Sequence, residues 1–348
     1  MEILGNKLAY KTYRHTKVND VSIFLPEIQE GFSFPVESTG AFEERPELKD
    51  YTYGVAQEAI DLNREKGSIY RKYHVEKDQV EKGKTLKLTT TDQNYQLLDT
   101  HDIIVEEGGK FTLTLSYDDQ GDEEKFRNSL IRIVAKKGAE VNVYLIQKED
   151  KSMSLESVVI LAEEKAKVRL RQYEMGAVKN YMNTQVELVG QEADVDVRSI
   201  YFGHEDNELN ILYHVNHHKP KTKANVVING ALMDQAQKNL KTTLDFKQGT
   251  QKSQGNEEEY TVLLDDTVLN LSVPVLLSHE DDIAGNHAAS SGEIDADLLF
   301  YLKSRGISHQ LAETLIVESK YAGTIDLLKD EKEKEEIWKY FRNKMNKR

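Results

Sequence analysis

A short motif recurs five times along the middle of the chain, and no other feature restricts the fold as strongly. A turn carrying Gly, Lys, Glu or Gln is followed by a small residue and then by alternating apolar positions. The copies are Gly109-Lys-Phe111-Thr-Leu113, Ala139-Glu-Val141-Asn-Val143, Ala166-Lys-Val168-Arg-Leu170, Ala193-Asp-Val195-Asp-Val197 and Ala224-Asn-Val226-Val-Ile228. Their first apolar positions, 111, 141, 168, 195 and 226, are spaced by 30, 27, 27 and 31 residues. A strand-and-turn unit of this length predicts a solenoid, in which each coil buries its apolar residues against its neighbours. A parallel β-helix suits the pattern best. A sandwich or barrel would also alternate, but would not need the same turn and strand at every step.

Stacking makes a prediction about charge. The outward positions on successive coils are Glu140/Asn142, Lys167/Arg169 and Asp194/Asp196. Stacked strands place Lys167 between Glu140 and Asp194, and Arg169 between Asn142 and Asp196. Opposite charges on adjacent strands favour that pairing by roughly 0.2–1 kcal/mol each. The Asp194/Asp196 pair therefore reads as a surface ladder rather than as acid/base machinery.

The repeat sets the domain boundaries. Two-residue alternation begins near Lys84, in Thr85-Leu-Lys-Leu-Thr89, and no long helical pattern interrupts it until about Asp295. The β-helix core is expected over residues 85–292. Residues 1–84 hold three of the five prolines, Pro26, Pro35 and Pro46, and read as a mixed region. One helix is expected there, over Gly54–Glu65, with Gly67 as its stop. Residues 293–348 read as helical. Asp295 or Asp297 caps a first helix that ends at Gly306, and Ser308 caps a second. A third starts near Lys329, with its acids early and its bases late, as the helix dipole prefers. Its apolar stripe, Ile337, Trp338, Phe341 and Met345, is either packed on the chain's own body, the reading favoured for an amphipathic helix, or offered to a partner.

Composition excludes several chemistries. The chain has 348 residues and no cysteine. It therefore forms no disulfide, no thiolate zinc site and no iron–sulfur cluster on its own thiolates. A net charge of −14 disfavours non-specific nucleic-acid binding. No apolar run approaches the roughly 20 residues needed to span a bilayer. Met1–Tyr10 lacks the pattern of a secretory signal, so a cytoplasmic location is expected.

Local enzyme motifs fail on inspection. Gly83-Lys-Thr85 resembles the tail of a phosphate loop, but position 78 is Asp and a strand follows where a helix should. His204-Glu205 and His279-Glu280 open like zinc-protease motifs, yet Glu208 and Ile283 stand where the second His belongs. Ser253-x-Gly255 lacks the upstream Gly of a nucleophile elbow. Asp118–Glu124 lacks calcium-loop spacing. The histidines at 204, 214, 217, 218, 279 and 287 specify no metal site by spacing, and His217/His218 read as a turn.

One stretch is distinctive. Asp281-Asp-Ile-Ala-Gly-Asn-His-Ala-Ala-Ser-Ser-Gly-Glu-Ile-Asp295 leads into Leu299-Phe-Tyr-Leu-Lys-Ser-Arg-Gly-Ile307. Together with Leu263-Leu264, Pro274 and Leu276 upstream, and Ala312 and Leu315–Val317 downstream, it resembles the core of the SufB/SufD family of the SUF iron–sulfur cluster assembly machinery. The resemblance covers about Asn216 to Tyr321. It leans toward SufD, since SufB-type members carry a cysteine implicated in cluster handling. SufD-type proteins read close to "CSHGAT" where this chain has Gly285-Asn-His-Ala-Ala-Ser290, so the likeness is divergent.

The resemblance implies a mainly β fold, a right-handed parallel β-helix flanked by N- and C-terminal helical regions. It implies a non-catalytic scaffold that pairs with a SufB-type paralogue, or with itself, and whose C-terminal helices dock a SufC-type ABC ATPase. His287 is then a candidate ligand for iron or a cluster shared at the subunit interface, or a structural residue of its turn. Tyr301, Ser304, Arg305 and Gly306 are candidate ATPase contacts, with Gly306 also read as the helix stop. Two other functions stay open: a β-helix enzyme acting on acidic polysaccharide, and a homo-oligomeric scaffold that has lost cluster chemistry.

Overall fold

The computed structural model describes residues 1–12 and 14–347. Among them are eighteen strands and four α-helices. The antiparallel pair β1 (Glu2–Gly5) and β2 (Val21–Phe24) comes first, then α1 (Gln57–Lys66). A run of strands follows: β3 (Ile69–Val75), β4 (Val80–Thr90), β5 (Gln96–Val105), β6 (Lys110–Asp119), β7 (Lys125–Ala135) and β8 (Glu140–Lys148). It continues through β9 (Ser152–Ala162), β10 (Lys167–Glu174), β11 (Lys179–Leu188), β12 (Asp194–Gly203) and β13 (Glu208–His217). It ends with β14 (Lys223–Leu232), β15 (Gln237–Phe246), β16 (Ser253–Leu263), β17 (Leu269–Ser278) and β18 (Ile283–Glu293). The helices α2 (Ala296–Ser304), α3 (His309–Ile325) and α4 (Glu331–Met345) close the chain.

From β3 onward, odd strands form one eight-stranded parallel sheet and even strands form a second. Each coil gives one strand to each sheet, which is a parallel β-helix. Its first coil starts earlier than the alternation suggests. Ile69 opens β3, and residues 69–84, expected in the N-terminal region, already belong to the solenoid. An irregularity between Glu81 and Lys84 shifts the β4–β6 register there and masks the pattern. Gly83 thus lies in a strand, not at a helix N-terminus.

The repeat is the stacking register of the even sheet. Phe111, Val141, Val168 and Val195 are successive partners. The fifth copy is displaced by one pleat: Val195 pairs with Ala224, and Val226 stacks on Val197. A two-residue shift keeps the same face inward, so the alternation survives it. The series continues through Gly255 and Gly285, where no apolar residue marks it.

One corner repeats a single backbone device. Asp78, Gly108, Gly138, Lys165, Glu192 and Lys221 all have positive φ, between 57° and 70°. That conformation turns the N–H along the solenoid axis, where it donates to the next coil's turn: Gly108 to Lys137, Gly138 to Glu164, Lys165 to Gln191. Charges on this corner alternate as well. Lys77 pairs with Glu107 at 2.8 Å and Lys137 with Glu164 at 3.2 Å. On the flat face Lys167 lies in register between Glu140 and Asp194. Arg169 reaches diagonally to Asp194 at 2.7 Å, and Arg171 takes Asp196 at 2.7 Å.

Each sheet has an outer cover. Ile3, Ile23, Val55 and Ala59 of the N-terminal segment pack on Leu98, Phe126 and Leu155 of the odd sheet. Leu48 packs on Val134, Val159 and Leu161. On the even sheet, Val317, Tyr321, Ile337, Phe341 and Met345 of α3 and α4 pack on Ile146, Tyr173, Phe202 and Met233. The stripe of the last helix therefore packs on its own body, with Trp338 at its edge. Asp295 and Ser308 cap their helices as expected, and Asp330 caps the last.

Candidate functional site

The two ends of a solenoid are its exposed edges. At the C-terminal end β17 pairs only with β15, and β18 only with β16, among the described residues. The lumen opens there. His287 is the register partner of Glu257, whose side chain points inward, so His287 sits on the lumen row of the last strand. It is exposed because no further coil covers it.

The mouth is lined by polar groups. Glu257 accepts from Thr242 Oγ1, and burial pushes its carboxyl up to about 7. Lys238 and Glu259 form an ion pair; both are at most 5 % exposed. Lys238 Nζ also donates to Ser272 Oγ at 2.8 Å, and Tyr201 Oη lies 2.6 Å from Thr261 Oγ1. On the outside of β17, Leu269 and Leu271 are 62 % and 42 % exposed.

Gly285 also has a physical reason. A Cβ there would lie 2.7 Å from Leu276 Cδ1, so a cysteine at this position would have to displace that leucine.

Polarity extends down the lumen, which the sequence pattern did not reveal. Arg127, fully buried, donates to Glu149 at 2.8 Å and lies 4.1 Å from the centre of the Tyr117 ring. Gln172 bonds Glu156, Tyr213 bonds Gln172, and Asn180 bonds Glu174. Burial pushes Glu149 and Glu156 up and Glu174 well up. These residues interrupt the apolar periodicity on which a sequence reading depends.

The other histidines do not join His287. His217 is buried, stacked on Phe246 at 4.3 Å, and burial lowers it to about 3. It is thus a core residue rather than part of a surface turn. His204 is also buried and lowered to about 4. His214 and His218 face a cleft on the odd sheet. No group of three metal-ligating side chains exists among the described residues.

Helix α2 has no buried residue among those described. Leu298, Phe300 and Tyr301 are exposed, Phe300 by 73 %, and Leu311 and Leu315 of α3 join them as exposed apolar side chains. The Arg305 guanidinium lies 5.3 Å from the centre of the Tyr301 ring, and Ser304 Oγ donates to the Tyr301 carbonyl at 2.7 Å. Gly306 has φ +85°, the left-handed stop of the helix.

Residues 88–320 match the family model "SUF system FeS cluster assembly, SufBD core domain". The chain belongs to the SufBD core family. The matched segment runs from within β4 to within α3, so it contains the lumen, the open end and α2. Similar proteins include the iron–sulfur cluster assembly protein SufD of Bacillus subtilis, 26 % identical over 150 residues, covering 43 % of this chain and 34 % of the relative. SufD of Escherichia coli is 24 % identical over 162 residues, covering 47 % and 38 %. An iron–sulfur cluster assembly SufBD family protein of Mycobacterium bovis is 29 % identical over 152 residues, covering 41 % and 38 %. The matched stretch spans little more than a third of the length of these SufBD relatives.

Proposed function

We propose that this chain is a non-catalytic scaffold subunit of a SUF-type iron–sulfur cluster assembly complex. In this reading the open end pairs with a SufB-type protein, and the exposed face of α2 and α3 docks an ABC-type ATPase. The carrying observation is the uncovered last coil. Two strand edges, a polar lumen and the apolar outer row of β17 meet there, and isolated solenoid ends are normally capped. A partner strand on β18 would satisfy its free backbone groups and enclose His287 in a joined lumen.

Iron or a cluster is cargo in this reading. The neutral imidazole of His287 can ligate iron, and thiolates would come from the partner, since this chain has none. The enzyme alternative needs free carboxylates in a surface groove. Asp194 and Asp196 are instead bound to Arg169 and Arg171. No helix among the described residues is long and apolar enough to cross a membrane.

The test is affinity capture of the tagged protein with mass spectrometry. Recovery of an ABC-type ATPase with a cysteine-bearing paralogue is expected. Recovery of the ATPase with only this chain would favour self-pairing, and recovery of neither would remove the reading. His287→Ala should then reduce cluster maturation in cells while leaving the complex assembled.

A further inference from the structure

A cleft of about 590 Å³ lies on the outside of the solenoid, between residues 4–9 and 50–58 and the outer faces of β11 and β13. Earlier coils bury apolar side chains on this same sheet face, under Leu48. Here the face turns polar although the N-terminal segment still overhangs it. Asn183, Gln185 and Glu187 on β11 stand beside His214 and Asn216 on β13. A size of this order suits a small-molecule ligand.

The wall is rich in acceptors. Glu187 is 2 % exposed; it accepts from Gln185 Nε2 at 2.6 Å and Asn216 Nδ2 at 3.0 Å, and meets His218 Nε2 at 2.5 Å. Two other side chains of the wall hold buried polar atoms without a partner: His214, one pleat from the register partner of Glu187, and Asn183, four residues further back along β11. Asn183, 6 % exposed, leaves Oδ1 unpaired, and His214 leaves Nε2 unpaired. Burial lowers His214, so its ring is neutral near pH 7 and keeps one acceptor nitrogen. Tyr51 and Tyr53 supply aromatic rings, and Asp50 and Glu58 add negative charge at the rim. Glu58 also offsets the positive end of α1.

We propose that this cleft binds a small organic cation through its guanidinium or ammonium group. Such a group offers several N–H donors to match unpaired acceptors, a charge to match Glu187, and a cation for the tyrosine faces. The cleft lies outside the lumen and shares no side chain with the row that carries His287. Lys7 and Lys247 at the rim oppose a cation, and Lys247 is partly offset by Asp245.

Agmatine, which carries both groups, is the probe. Calorimetric titration of the full chain should give one saturable site that weakens with added salt. Glu187→Gln should weaken it about tenfold or more, as for loss of a charge-assisted contact, in a variant whose fold is verified by circular dichroism, because Glu187 also holds Gln185, Asn216 and His218. Tyr51→Leu, which leaves the carboxylate network intact, should also weaken it. Lys247→Gln should tighten it about twofold by removing a repelling charge. A Gly-Arg-Gly peptide distinguishes the source: tighter binding than agmatine assigns the group to a protein side chain, weaker binding to a free amine. No saturable heat, equal binding by Glu187→Gln, or weaker binding by Lys247→Gln would each overturn the proposal.

Discussion

The two ends of the solenoid are treated differently. At the N-terminal end, Phe34 and Val36 pack against the core. Thr39 N donates to the Tyr70 carbonyl, and Tyr70 N and Lys72 N donate to Ser38 Oγ and Thr39 Oγ1, so the edge of β3 is paired by local chain. The edge of β4 is broken by its irregularity beside Glu81, Lys82 and Lys84. These are standard defences of a strand edge. At the C-terminal end Leu276 and Ile283 remain half-buried, and β17 and β18 carry no such cover among the described residues. One end is finished by the chain itself, and the other shows no such finish among the described residues.

The largest test compares ion pairs at two depths. Arg127→Met would strand Glu149 in the closed lumen, and removal of one partner of a buried pair costs about 3–5 kcal/mol. Lys238→Met removes the equivalent partner of Glu259 beside the mouth. That pair lies one coil from the open end, so a smaller loss of about 1–3 kcal/mol is expected. Urea midpoints measure both. Equal losses would mean that the mouth is as closed as the interior.

The second test is a pH profile of the mouth. Glu257 is raised to about 7 in the folded chain, above its ordinary value of 4.5. The folded state therefore binds more protons between those values, and this group's contribution to stability falls as pH rises from about 4.5 to 7. At 1.36 kcal/mol per unit the fall is about 2–3 kcal/mol. Glu257→Gln should remove that part of the slope, and an unchanged slope would locate the titration elsewhere. Because Glu174 lies deeper and is also raised, only the difference between the two proteins is informative.

These residues also mark where the sequence was readable. The even strands show alternation because half of each faces water, and their stacking gives the repeat. The odd strands β5 and β7 are buried on both faces, under the N-terminal segment, so Gln96–Val105 and Lys125–Ala135 show no period. The lumen's polar corner was illegible for a different reason. Arg127, Glu156 and Glu174 look like surface residues one at a time, and only stacking brings them together. Helix caps depend on a few adjacent residues, so Asp295, Ser308 and Gly306 were legible. His287 was legible as a motif, but its place on the lumen row needed the register with Glu257.

A third test acts on the ends directly. Phe34→Ala should cost about 2 kcal/mol, half of what a fully buried Phe costs, and should speed amide exchange in β3. Leu271→Lys should change the free chain by less than about 0.5 kcal/mol, as at an ordinary surface position. The same change should weaken capture of a SufB-type partner about tenfold or more. Loss of free-chain stability with Leu271→Lys would show that the open end is closed by its own packing.

The smallest effect concerns what holds the coils in register between those ends. Lys137 and Glu164 meet at 3.2 Å on the corner, both about half exposed. Lys137→Glu would face Glu164 with a like charge, beside Glu107 and Lys77 one coil away. An exposed pair of this kind is worth about 0.2–1 kcal/mol and is screened by salt. The loss should therefore vanish near 1 M salt, while the Arg127→Met loss persists. Charge alternation at the corner would then discriminate between registers without carrying the fold: a one-coil slip would set Glu106/Glu107 against Glu163/Glu164. A loss that survives high salt would instead implicate the turn backbone, where Gly138 donates to the Glu164 carbonyl at 2.8 Å. That outcome would move register control from the charges to the left-handed turn repeated at each coil.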